Sequence, residues 1–549
     1  MPYRKYGVLK RHLPSITAFA LATVLTAGGC YGEESVTPLP RPSQTSSSTT
    51  SVFVAPTTTT MPTPTTMPTT TTTIVARPPQ ALVEPCPLPE TTQTLAGGDL
   101  GTMSASLMAE LICSTTDVVV THMGDTDEQA VRAATEMGAP LVLASAGAPF
   151  DPVSVGAVRV WTTDPALVLS GRHAVLPVPE VDGEIPALVS SLVDGHVPED
   201  ARSDIVSAVI DGTTAPETLV MLSTNRPELA AVAATTAAAA GGEAVWAVPG
   251  DIRRRPVLRS LVRKSKSRLL VGDFSSDAPW QTDVMARGLT LPGGGQVLFP
   301  GKRIVTIYGH PHTAGLGVLG EQTPAEAVGR AAEVAAPYAT DDVKLIPGFD
   351  IITTLASSRP GPDGDYSAEL SVDEVRPWVE AATEAGYYVV LDLQPGRTDF
   401  LTQTKRYEEL LRLPNVGLAL DPEWRLGPDE VHLRQIGSVS GEEVNSVVRW
   451  LADLVRRERL PQKLLLVHQF TFGMITSREV IETPTELAVV IQMDGQGPLS
   501  TKYSTWNALV AGEHDWRWGW KSFYDEDSPM ATPDQVLDLT PTPVFVSFQ

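Results

Sequence analysis

From residue 303 to the end of the chain, short apolar runs recur, mostly separated by stretches with helical spacing. The runs are 303–309, 343–355, 387–393, 416–420, 464–468, 487–493, 516–521 and 543–548. Each has the length and β-branched, aliphatic or aromatic content of a strand. Between them, residues 442–457 carry Val444, Val447, Val448, Leu451, Leu454 and Val455 at helical spacing. Local chemistry marks the helix ends. Thr323-Pro324 offers a cap with proline in the first turn. Ser371 and Glu374 have the spacing of a capping box, and Gly386 suits the position just past a helix. Eight strands with intervening helices over about 250 residues predict a (β/α)8 barrel of TIM type. A doubly wound sheet is the alternative.

Upstream, the alternation has a different look. Strand-like runs at 116–121 and 138–144 flank an Ala-rich helical stretch at 127–137, and the rhythm returns at 218–223, 228–240, 244–248 and 267–273. This predicts a parallel α/β domain with both sheet faces covered. Asp117-Val118-Val119-Val120, the Ala-rich stretch and Gly138-Ala139-Pro140-Leu141-Val142-Leu143 resemble the type 2 cell-wall-binding repeat of Gram-positive surface proteins. The family's Asp-Ala-Leu at the helix start is replaced here by Glu128-Gln129-Ala130. The resemblance implies wall binding. The alternative is a flavodoxin-like scaffold without a ligand.

The first thirty residues set the compartment. Arg4, Lys5, Lys10 and Arg11 precede an apolar stretch at 16–25, which is too short and wrongly flanked for a spanning helix. Leu25-Thr26-Ala27-Gly28-Gly29-Cys30 resembles the bacterial lipobox, with Ala27 where Leu is commonest. The resemblance implies cleavage before Cys30 and diacylglycerol on its thiol, a stable membrane anchor. An ordinary signal peptide is the alternative. Residues 34–79 are dominated by Thr, Ser and Pro, with almost no aromatics and with bare threonine runs at 57–60 and 69–73, and cannot bury enough apolar surface to fold. Extended, they reach about 150 Å, a spacer across a cell wall. The remaining cysteines, Cys86 and Cys113, form an even pair in an exported chain and suggest a disulfide. Such a bond is worth on the order of 3 kcal/mol; two free thiols are the alternative. The expected layout is a signal peptide (1–29), a stalk (30–83), an α/β domain (84–300) and a barrel (301–549). The whole barrel segment is similar to a set of actinobacterial secreted lipoproteins, and the expected location is the extracytoplasmic face of the membrane, reached through the lipid anchor.

Composition narrows the function. A net charge of −23 over 549 residues disfavours a phosphate-neutralising surface, so no nucleic-acid partner is expected. No P-loop, cysteine knuckle or Gly-x-Ser-x-Gly elbow is present. In a barrel of this kind, chemistry gathers at the strand C-termini. Those ends hold His310-Pro311-His312, Asp350, Asp392-Leu393-Gln394, Asp421-Pro422-Glu423-Trp424, His468-Gln469, Asp494-Gly495-Gln496, then Trp518, Trp520, Lys521, Tyr524 and Asp525, and finally Gln549.

Three readings follow. In the first, Asp421 and Glu423 at i and i+2 share one face of an extended strand, as paired carboxylates for glycosidic cleavage. Leu418-Ala419-Leu420-Asp421-Pro422-Glu423-Trp424 resembles the fourth-strand motif of chitinase-type and some lysozyme-type barrels, except that Ala419 stands where chitinases carry another Asp. The resemblance implies Glu423 as proton donor and Asp421 as its partner. Asp392 and Asp494 complete the catalytic candidates. His310, Gln394, Trp424, His468, Gln496, Trp520 and Tyr524 are the substrate-binding candidates, and no cofactor is expected. In the second, His310-x-His312 and His468 resemble the metal ligands of amidohydrolase barrels, giving a set of His310, His312, His468 and Asp494 that activates water. Asp494 and Gln549 depart from that family's His and Asp. The third is a glycan-binding barrel without catalysis. Location alone points to peptidoglycan or another cell-envelope glycan as partner.

Overall fold

The computed structural model describes residues 77–122, 127–144, 150–164, 173–181, 216–224, 226–247 and 250–549. The signal-like segment, Cys30 and nearly all of the Thr/Pro stretch lie outside the described residues. Among the described residues, no helix is long and apolar enough to cross a membrane.

The first part of the described chain is a parallel α/β region built on two sheets rather than one. The first sheet runs in the order Leu141–Ala144, Asp117–His122, Arg159–Thr162, Ala174–Pro177, every pair parallel. The second runs Thr92–Leu95, Ser267–Gly272, Thr218–Ser223, Glu243–Trp246, again all parallel. A single flavodoxin-like sheet was one expectation. The helix Pro227–Ala239 explains the split, because it packs between the sheets. Its Thr236 hydroxyl donates to the Leu141 carbonyl of the first sheet at 3.1 Å, while one apolar core joins Val119 and Val142 to Val232, Val220 and Leu269. The helix Glu128–Met137 starts where the Asp127 side chain accepts from the N–H of Gln129 and Ala130, and ends at Gly138 with φ 60°, the left-handed turn that glycine supplies at least cost. Cys86 and Cys113 are bonded.

Each of the eight downstream apolar runs carries a strand. They are Lys302–Gly309, Lys344–Ala356, Tyr388–Leu393, Val416–Leu420, Lys463–Gln469, Leu487–Met493, Arg517–Ser522 and Phe545–Phe548, here called barrel strands one to eight. Every neighbouring pair is parallel, and strand one pairs with both strand two and strand eight, so the barrel is closed. The expected cap at Thr323 and the expected box of Ser371 with Glu374 both form, Glu326 completing a further box with Thr323, and Gly386 takes φ 72°. The βα rhythm has one gap. Between strands five and six, only the short turns Phe472–Met474 and Arg478–Val480 replace a helix.

Side-chain alternation sorts each strand into two faces. Ile304, Ile346, Tyr388, Val390, Ala419, Leu464, Leu466, Val490 and Phe545 fill the barrel interior as one apolar plug. Val305, Ile351, Leu391, Leu418, Val467, Ile491 and Val546 face the surrounding helices. Continuing the inward parity toward the C-terminal mouth reaches Tyr308, Asp350, Asp392, Asp421, His468, Asp494 and Lys521.

Candidate active site

The mouth is built from residues two or four positions beyond the apolar plug, where the interior changes from apolar to charged. Asp350, Asp392 and His468 are fully buried there, and Asp421, Asp494 and Lys521 nearly so. His468 is the hub. Its Nδ1 lies 2.9 Å from Asp494 Oδ2, and its Nε2 lies 3.7 Å from Asp392 Oδ2. Burial alone would lower its pKa, but Asp392, Asp494 and Asp421 overcome this and hold it at about 9. Asp350 sits behind, with neither carboxylate oxygen hydrogen-bonded; burial and the charge of Asp392 push it up to about 7. Tyr308 roofs the cluster. Its Oη accepts from Gln394 Nε2 at 3.3 Å, and the Lys521 ammonium lies 3.6 Å from its ring centroid. Burial and the nearby carboxylates raise the phenol well above its usual range.

Glu423 stands nearer the solvent. Strand four ends at Leu420, so Asp421 and Glu423 are not paired along an extended strand. Instead Asp421 caps the turn Pro422–Trp424, its Oδ1 accepting from the Glu423 N–H at 3.3 Å. The turn is held from the other side by the Gly437 N–H, which donates to the Glu423 carbonyl at 2.8 Å. A side chain at Gly437 would meet that carbonyl oxygen at 2.5 Å, so the close approach requires glycine. Arg425 pairs with Glu443 at 2.8 Å, and the Glu423 carboxyl forms no ion pair among the described residues. Burial, with repulsion from Asp494, pushes Glu423 up to about 7 against the pull of Lys521 and His468. Asp421 is pushed well above the carboxylate range, chiefly by burial.

The remaining sequence candidates divide. Gln394 is buried and committed: its Oε1 accepts from the Ala356 N–H at 3.0 Å while its amide holds Tyr308. Trp424 is half-buried at the rim, its ring edge-on to His432 at 5.3 Å. Tyr524 is partly exposed beside Phe548, and Gln496 is exposed in the loop after strand six. Trp520 is a correction. It has the outward parity, opposite to Lys521, and packs with Trp518 against Trp506 of the helix Leu499–Leu509. The tryptophans of strand seven therefore belong to the helix layer and offer no face to the mouth.

The metal set is also revised. His310 is nearly buried, with Nδ1 accepting from the His312 N–H, and His312 is exposed. Both sit in the turn past strand one, whereas His468 lies within strand five. The donors that come within 4.8 Å of one another are instead Asp421, His468 and Asp494. Tyr308 and Lys521 were missed as site residues. Period-two spacing along strands one and seven was the only sequence signal, and it sorts the faces without saying which one is enclosed.

The chain thus carries a closed, all-parallel eight-stranded barrel of TIM type, joined to a parallel α/β region, with a buried acidic cluster at the barrel mouth. No family model matches it, and no curated protein does. Among solved structures, that of oxaloacetate acetylhydrolase in complex with the inhibitor 3,3-difluorooxalacetate shares 14% identity, covering 45% of this chain and 74% of that one, at a TM-score of 0.22. A likeness this distant assigns no activity.

Proposed function

We propose that the barrel is a hydrolase of a cell-envelope glycan and that Glu423 is its proton donor. The observation that carries this is the state of Glu423, a part-buried carboxyl at the mouth that is pinned through its backbone on both sides, while its own oxygens pair with no cation. A donor to a glycosidic oxygen needs that combination of fixed position and uncommitted, readily protonated carboxyl. Asp494, held by His468, is the second carboxyl group, placed to face the positive charge that develops on the sugar. On this reading the chain is a lipoprotein anchored through Cys30. Its Thr/Pro stalk spans the wall, and the α/β region engages wall polymer.

A second reading is favoured by the convergence of Asp421, His468 and Asp494. One imidazole and two carboxylates form a mixed donor set suited to a first-row divalent ion, which would activate water in a metal-dependent hydrolase. One assay separates the two. The full-length chain is incubated with peptidoglycan and with chitin oligomers, with and without chelator. Cleavage that survives chelator and disappears in Glu423→Gln supports the glycosidase. Cleavage abolished by chelator supports the metal reading. No cleavage of either polymer removes both in favour of a binding barrel.

A further inference from the structure

Three lysines are buried among the described residues, all in the barrel, and they differ in one respect. Lys463 donates to the carbonyls of Leu413 and Val416 at 3.0 and 2.5 Å. Lys502 pairs with Asp527 at 2.5 Å and donates to the Lys521 carbonyl at 2.7 Å. The third, Lys521, is 3% exposed, yet its ammonium forms no hydrogen bond and no ion pair among the described residues. What holds it is aromatic: the Tyr308 ring at 3.6 Å and the Phe523 ring at 5.3 Å.

Enclosing most of a lysine side chain carries a desolvation cost, yet Lys521 Nζ is not among the fully buried polar atoms without a partner, so the ammonium keeps an opening to the mouth. Cation–π contact with two rings offsets part of that cost and fixes the position, but it leaves the N–H groups free. Charge balance for the acidic cluster does not explain the arrangement. Attraction falls with distance, so a balancing lysine gains most by touching a carboxylate. Asp350, Asp392, Asp421, Glu423 and Asp494 all lie at the same mouth, and none comes within ion-pairing distance of Lys521. His468, by contrast, is spent on Asp494 and Asp392. Lys521 is therefore the one cation at the mouth, among the described residues, whose donors are available to a ligand.

We propose that Lys521 is a specificity residue that binds a carboxylate carried by the sugar substrate, so that the site takes an acidic rather than a neutral glycan. A single ammonium matches a monoanion; doubly charged phosphate is more often met by guanidinium forks or several cations. The loop behind it is built to hold the lysine still. Asp527 accepts from the N–H of Phe523 and of Gly497 and pairs with Lys502, which in turn holds the Lys521 carbonyl.

This rests on the glycan reading, and the test keeps the two apart. Binding of three probes to the full-length chain is measured by calorimetry: a tetrasaccharide of N-acetylglucosamine and N-acetylmuramic acid, the methyl ester of the same tetrasaccharide, and chitotetraose. The wild type is expected to bind the acid at least about tenfold more tightly than the ester, the value of one charge-assisted contact. Lys521→Met should abolish that difference and leave ester and chitotetraose affinity unchanged, while Lys521→Arg keeps it. Equal affinity for acid and ester in the wild type, or a difference that persists in Lys521→Met, overturns the assignment. If Lys521→Met fails to fold, the acid–ester comparison in wild type and Lys521→Arg decides alone. Cleavage is followed in the same samples. Acid-selective binding without cleavage upholds Lys521 and ends the hydrolase reading; cleavage without acid preference overturns Lys521 and leaves that reading standing.

Discussion

His468 and Asp494 are joined at 2.9 Å between the imidazole Nδ1 and a carboxylate oxygen, on paired neighbouring strands whose register sets His468 opposite Gln492. Two residues beyond that register, Asp494 leans back to reach the ring. The other ring nitrogen faces Asp392 across the barrel at 3.7 Å. One imidazole thus separates two carboxylates that would otherwise repel inside a low-dielectric interior. Glu423, nearer solvent, has no such cationic partner, and neither has Asp350 deeper in the barrel.

Glu423→Gln removes a proton donor with almost no change of shape. Glycan cleavage is expected to fall by roughly a hundred- to ten-thousandfold, with the melting temperature unchanged. Asp421→Asn keeps an acceptor for the Glu423 N–H and is expected to cost less. Initial rates on peptidoglycan fragments, with thermal melts of each variant, check this. Full activity in Glu423→Gln would end its assignment.

Trp520 reads from the sequence as a sugar platform and from the structure as packing between strand seven and Trp506. Trp520→Ala is expected to destabilise the barrel by about 3–5 kcal/mol, measured by urea unfolding. Glycan affinity of the folded fraction should not change. A loss of affinity without a loss of stability would restore the platform.

Lys463 gives a pH signature at the closed end of the barrel. Burial pushes its pKa down to about 7 from 10.5, so between those values the unfolded chain binds the extra proton. Stability contributed at this residue is therefore expected to rise with pH across that window, by roughly 1 kcal/mol per pH unit. Below about 7 the penalty of a buried charge is fully present. Lys463→Met should lack the rise, as urea unfolding from pH 7 to 10 would reveal; identical slopes would contradict it.

Cys30→Ala is expected to leave the precursor unlipidated and to move the protein out of the detergent phase in a phase-partition assay. Retention of the variant in that phase would remove the anchor.

The eight barrel strands were legible in the sequence because each is a local event. An apolar run of strand length needs no distant partner to be recognised, and the Thr323 cap and the Ser371–Glu374 box close within one helical turn. The parallel α/β character upstream was legible for the same reason, and the acidic residues at strand ends could be named in advance. What the sequence did not carry was the division of the upstream strands into two sheets, which depends on a helix wedged between them. Nor did it carry the turn after strand four, where Asp421 serves the Glu423 backbone instead of its carboxyl. Alternation along strand seven did separate Lys521 from Trp518 and Trp520. Which of those two faces turned inward was decided only when the barrel closed, because period-two spacing sorts side chains into faces, and only pairing with distant strands decides which face is enclosed.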